Sequence, residues 1–323
     1  MLQTTVNNYK QLIKRASTFL PLILIFNYPT MGYTDNAVSA LLRPDAPPPY
    51  ANVFNLIEEG ITGELNRTID IYNIDLKNLE NDISNAITNN KYQKIIALSP
   101  LIANPITKSY KDGTVLSGAI GSPPNKLGEN GVSLYIHPKY YFKQLKLLSP
   151  STRRVRVIMN PDHGKYHPQV AMNAAKEFGI ELKIYMASDL REVAIESENL
   201  FSESDPKYDA VWITRDTLAF NYELMLSYHI EKSWELGIIT FSNSPTDAKR
   251  GILFTLYPDY KELGKQLGTL LKMDENNTNK KSTSRLSYLN NPKLAINRRT
   301  AKHLGLNIDT ELMLTADVEF PSK

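Results

Sequence analysis

The chain has 323 residues, 42% of them hydrophobic, with a formal net charge of +3 and no cysteine. That length allows about two domains with ordinary buried cores. The composition excludes a disulfide framework, a thiol nucleophile and lipidation through an N-terminal cysteine.

The charge is unevenly placed. Lys10, Lys14 and Arg15 are the only charged residues before Tyr33, and Phe19 to Phe26 is apolar apart from Pro21. That apolar run is too short to span a bilayer. After a basic start it predicts a secretory signal peptide over residues 1–32, with Thr30 and Gly32 in small-residue spacing before the cut. The alternative is an uncleaved amphipathic start. Removing those three cations from a net charge of +3 leaves the rest formally neutral. Nothing then remains to neutralise phosphates in bulk, so no nucleic-acid partner is expected.

Strands and helices alternate from there. Ala37 to Leu42 reads as a strand, and the prolines of Arg43 to Tyr50 make a stiff loop. Val53, Ile57 and Ile61 mark a helix, Thr68 to Ile74 a strand, and Leu76, Leu79, Ile83 and Ile87 a second helix within Asp75 to Asn89. Lys94 to Leu98 is a strand ending at Ser99, Ile102 to Tyr110 a short helix, and Thr114 to Ile120 a strand ending at Gly121 and Ser122. Asn125 to Asn130 is a polar turn. Val132 to Ile136 is a strand, and Tyr141, Leu145 and Leu148 mark the next helix.

Val155 to Asp162 opens the clearest unit. A β-rich run stops at Asn160, Pro168 to Phe178 presents one apolar helical face, Gly179 ends it, and Glu181 to Ala187 is the next strand before an N-cap at Asp189. Strand, helix and strand in about thirty residues is a βαβ unit, and alternation of this kind favours a parallel sheet. Tyr208 to Thr214 is a strand ending at Arg215 and Asp216. Leu226, Ile230 and Trp234 mark a helix stopped by Gly237. Ile238 to Phe241 ends at Ser242 and Asn243, and Gly251 to Leu256 ends at Tyr257. Leu263, Leu267 and Leu270 stripe a late helix, Asp274 to Ser287 is an exposed polar loop, Lys293 to Asn297 is the last strand, and Thr300 to Leu304 is a helical turn.

Catalytic motifs are missing. There is no Gly-x-Ser-x-Gly elbow and no phosphate loop, and no carboxylate pair is nominated as acid and base. His163 and His167 beside Asp162 would share a helical face, but Gly164 and Pro168 place them in a loop, which argues against a metal site. No cofactor is called for, and the chain does not read as an enzyme. In open α/β sheets ligands lie outside the carboxyl ends of the strands, so the polar strand ends are the candidate site.

Several passages resemble the substrate-binding components of bacterial ABC importers, in the group sometimes linked to tryptophan and other aromatic amino acids. Val155 to Asp162 is similar to that family's strand ending in Tyr-Asn-Pro-Asp. Tyr257 to Gln266 resembles its Gly-Pro-Asp-Tyr-Tyr-Glu-Leu-Gly-Arg-Gln segment. Leu294 to Leu306 resembles its closing Asn-x-x-Thr-Ala-x-x-Leu-Gly-Leu motif, and Ala316 with Asp317 its Ala-Asp-Glu ending. The departures are Ser99 to Ile102, Gly121 to Pro123 and Thr255 to Tyr257, where bulkier groups would change the pocket.

The resemblance implies a type 1 periplasmic binding protein fold: α/β, two Rossmann-like lobes with parallel sheets joined by three hinge crossings. Lobe one would be residues 33–118 plus 258–290, and lobe two 119–257 plus 291–323. The implied protein is periplasmic and exported. It captures a small organic, amino-acid-like solute between the lobes and delivers it to an inner-membrane ABC permease. The alternative is a sensor of the same fold reporting to a membrane kinase. Expected ligand contacts are Asp45 and Tyr50 on the first loop, Ser99 and Ser122 at lobe-one strand ends, Asn160, Arg215, Asp216, Ser242 and Asn243 opposite, and Tyr257 near the hinge. Arg215 could fork onto a carboxylate, Asp45 or Asp216 receive an ammonium, and Tyr50 or Tyr257 supply an aromatic wall.

Overall fold

The computed structural model describes residues 39–88, 92–121, 124, 130–161, 168–214, 222–275, 286–306 and 315–321. These elements belong to one compact unit, residues 37–323. From the amino end run β1 (Ser39–Pro44), α1 (Tyr50–Leu65), β2 (Asp70–Ile74), α2 (Leu79–Thr88), β3 (Lys94–Leu98), α3 (Pro100–Ser109), β4 (Thr114–Ile120) and β5 (Gly131–Ile136). Next come α4 (Pro138–Leu148), β6 (Arg154–Met159), α5 (Pro168–Glu177), β7 (Glu181–Met186), α6 (Leu190–Ser202), β8 (Asp209–Trp212) and α7 (Tyr222–Leu236). The chain continues with β9 (Ile239–Ser242), α8 (Pro245–Arg250), β10 (Phe254–Tyr257), α9 (Tyr260–Glu275), β11 (Leu286–Leu289), β12 (Lys293–Asn297), α10 (Arg298–His303) and β13 (Val318–Phe320).

Two sheets result. The first has the order β11-β5-β4-β3-β1-β2 and the second β13-β12-β10-β9-β8-β6-β7. The chain therefore changes sheet three times, after β5, after β10 and after β11. All strand pairs of the first sheet are parallel. The second is parallel except that β12 runs antiparallel to β10. A parallel neighbour would need a return crossover, whereas β12 comes directly from β11 of the other sheet and enters from the opposite end.

Both faces of each sheet are covered, which is why the central strands are apolar without alternation. Successive residues go to opposite faces. In β3, Ile96 and Leu98 enter the large core shared with Val155, Trp212 and Phe241, while Ile95 and Ala97 pack with Ile83, Ile102 and Ile106. In the second sheet, Ile158 and Val211 face a third core with Val193, Leu200 and Phe201.

The expected lobe boundary between Gly118 and Ala119 does not coincide with a change of sheet. Leu98 is in register with Gly118, and β4 runs on to Ile120 through a bulge where Ala119 takes φ 53. β5 then pairs with β4 in the first sheet, although the expectation put it in lobe two. Gly131 makes that pairing possible: at φ 138, a Cβ there would stand 2.0 Å from the Ser117 carbonyl oxygen. The change of sheet comes after Ile136, through α4.

Other differences are local. The second helix begins at Leu79, so Leu76 lies before it and is exposed. In α9 it is Leu271, not Leu270, that is fully buried with Leu263 and Leu267. β11 forms at 286–289, inside and beyond the expected polar loop, and β13 follows the strand expected to be last. The short helix α8 was not expected.

Candidate functional site

The carboxyl ends of the parallel strands collect the sequence candidates into two contiguous sets. In the first sheet, β1 and β3 are neighbours, which puts Asp45 and Ser99 at adjacent strand ends. Asp45 is exposed and its amide donates to Ile74. Tyr50 opens α1 and is 66% exposed. Ser99 is strained: its backbone sits at φ 79, its amide donates to Gly118, and its Oγ accepts from Leu101 N at 3.3 Å to cap α3. A non-glycine residue in that region is costly, and such strain concentrates where a fold serves a ligand.

Beneath the Asp45 loop lies a cavity of about 100 Å³ with Arg43 in its wall. The Arg43 guanidinium is held by Asn73 at 2.8 Å, Asn55 at 2.7 Å and Glu58 at 2.9 Å. Sequence reading placed Arg43 at the start of the loop but did not single it out, because its partners Asn55, Glu58 and Asn73 come from α1 and β2 and leave no local signal.

In the second sheet β6, β8, β9 and β10 are consecutive neighbours. Their ends bring together Asn160, Thr214, Asn243 and Tyr257. Asn160 is buried, and Thr214 Oγ1 donates to Ile158 O at 3.3 Å. Ser242 is not open to a ligand: it is fully buried and its Oγ donates to Asp247 at 2.6 Å, tying β9 to α8. Asn243 is different. Its Oδ1 is buried and has no hydrogen-bond partner among the described residues. A buried amide oxygen without a donor costs about 1–3 kcal/mol, which singles Asn243 out among the strand-end candidates.

Tyr257 lies at the second change of sheet, where burial, with Asp317 and Asp259 nearby, pushes its phenol up to about 12. His137 lies at the first, caps α4 through Nδ1 and meets the Tyr288 ring at 4.7 Å. Burial, then Lys139, hold its imidazole below the ordinary value, with Glu177 opposing. Ser122, Arg215 and Asp216 lie outside the described residues, as do Asp162, His163, His167, nearly all of the Asn125–Asn130 turn and residues 1–32. Among the described residues no helix is long and apolar enough to cross a membrane.

Comparison with known proteins agrees with this architecture. A family profile described as ABC transporter substrate binding protein matches residues 57–319. The ligand-free, open structure of a substrate binding protein with adhesive properties from Clostridium difficile superposes with a TM-score of 0.62. It is 16% identical, over 87% of this chain and 97% of that one. The ABC domain from Streptococcus pneumonia in complex with L-Trp gives a TM-score of 0.49 at 16% identity, over 88% of this chain and 100% of that one. No curated protein matches the chain.

Proposed function

The chain belongs to the ABC transporter substrate binding protein family, and from that premise we propose that it captures a small organic solute and delivers it to an inner-membrane permease. The family binds ligands and is not an enzyme. We infer export to the periplasm from the basic start and the short apolar run, and two lobes facing each other across the strand ends.

The observation that carries the solute class is Asn243. Its buried acceptor at the end of β9, without a partner among the described residues, suits a ligand that presents an N–H. Arg215, two residues beyond Ile213, would take a carboxylate in the same ligand. Together they support an amino-acid-like solute. Arg43 and the Asp45 loop would form the opposing rim.

Native mass spectrometry of the purified protein tests capture directly: a bound small molecule that leaves on denaturation is the expected result. With that molecule in hand, Asn243→Leu is expected to weaken binding about tenfold, the size of one buried hydrogen bond to a charged donor. Arg215→Ala is expected to cost at least ~1.5 kcal/mol by calorimetry. Unchanged affinity in both folded variants would remove the amino-acid-like assignment.

A further inference from the structure

A second cavity lies away from the strand ends discussed above. It holds about 490 Å³, within the ~300–1,000 Å³ range of small-molecule sites. Asn297, at the carboxyl end of β12, donates its amide to Leu253 just before β10 begins. The cavity beside it therefore opens at the amino-terminal end of β10, opposite Tyr257 and Asn243.

Its chemistry is one-sided. Lys249, Arg250 and Arg299 line it with no carboxylate among the described lining residues, and Ile230, Trp234 and Phe320 supply apolar wall. Arg250 is already paired with Glu223. Lys249 and Arg299 are exposed and have no acidic partner among the described residues. Helix electrostatics explain Lys249, which sits in the last turn of α8 where carbonyls favour a cation. They do not explain Arg299, which sits in the first turn of α10, where the macrodipole opposes it. Its neighbour Arg298 is answered by Glu319; Arg299 instead lies 5.7 Å from the Trp234 ring. That indole is fixed in turn by His303, stacked at 3.7 Å and bonded through Nε2 to the Trp234 carbonyl. Asn297 and Thr300 are committed to Ala248 and Gly251 and firm the floor.

The geometry points to a second ligand site, for a small organic anion: an acidic group, carboxylate or phosphate, held between Lys249 and Arg299, on an apolar body against Ile230, Trp234 and Phe320. The site is independent of the strand-end cleft.

Anilinonaphthalene sulfonate, titrated against the full chain, is the probe, with uncharged phenylnaphthylamine as control. Saturable binding of the anion is expected, with quenching of one of the two tryptophans that disappears in Trp234→Phe. The other, Trp212, is in the core. The double variant Lys249→Ala, Arg299→Ala changes only exposed side chains and is expected to weaken the anion at least about tenfold, the size of one charge-assisted hydrogen bond, while Asn243→Leu leaves it unchanged. Displacement by naphthoate assigns a carboxylate ligand, and displacement by naphthyl phosphate assigns a phosphate. Undiminished anion binding in the double variant, equal binding of the neutral control, or displacement by neither competitor overturns the proposal.

Discussion

The fold disfavours protonation of His137 and His229, through different surroundings. His229 is fully enclosed: its Nδ1 lies 2.6 Å from the Met225 carbonyl and so carries the hydrogen, leaving Nε2 to accept from Ser197 Oγ at 3.3 Å. Burial lowers its proton affinity, and the Met225 bond only partly opposes this. His137 is lowered by burial and Lys139, and its Nδ1 acceptor role at the α4 cap requires the unprotonated ring. A folded-state value below 6.5 means that each contributes stability above that pH and loses it as pH falls through the folded value. The urea midpoint is therefore expected to fall between pH 7 and 5, and His137→Asn, which keeps a capping oxygen, is expected to flatten the dependence. Identical slopes in the two proteins would show that His137 does not titrate within this range. Tyr257 acts at the other extreme. Its phenol is raised from 10.0 to about 12, so its stabilisation is complete below pH 10 and lost as pH rises to about 12. Ultraviolet titration of wild type against Tyr257→Phe is expected to show the missing tyrosinate step at that upper end.

At the scale of elements, α1 and α9 approach until backbone touches backbone. A Cβ at Gly264 would stand 2.0 Å from Ile57 O, and one at Gly60 would stand 2.1 Å from Lys261 O. Neither oxygen can move without unwinding its helix. Gly264→Ala is expected to destabilise by about 1–3 kcal/mol in urea denaturation. Gly63, exposed on α1 with nothing within 4 Å of its Cβ position, is the control: Gly63→Ala is expected to stabilise by about 0.5–1 kcal/mol. Equal signs at the two positions would show that close packing is not what glycine supplies. These contacts illustrate what the sequence could carry. Apolar runs such as Lys94–Leu98 and Thr114–Ile120 gave strands with the expected bounds, because burial on both faces leaves a composition signal. α8 has six residues and no apolar stripe, and β11 follows a polar stretch and is held by its pairing with β5, so neither left a local signal. The candidate site was legible as a list of strand ends but not as side-chain roles. Nothing in Ser242-Asn243 says that the first hydroxyl is spent on Asp247 while the second amide oxygen finds no partner among the described residues.

For the whole molecule, the three changes of sheet adjoin one another. Leu289 is in register with Ile136, so the first and third passages start side by side, and Tyr257 is in register with Lys293, so the second begins where the third ends. Side chains tie them together: Tyr140 OH donates to Asn290 at 3.2 Å, and Gln266 of α9 donates to Tyr288 O at 2.8 Å and accepts from Asn290 N at 3.1 Å. Each helix that follows a passage is anchored on the sheet it enters. Tyr141 and Phe142 of α4 pack on Trp212 of the second sheet, and α9 packs on α1 beside the first. The chain passes between the sheets at residues 136–138, 257–259 and 289–293, and we propose these three adjoining passages as the hinge. Once a tight ligand is identified, its binding is expected to compact the protein in small-angle scattering. Amide exchange is expected to change at those three passages and at the strand ends, while the interiors of β3, β4, β6 and β8 keep their protection. Compaction with exchange altered through the sheet interiors would mean that the lobes deform on binding; no compaction with a tight ligand would mean that they do not close.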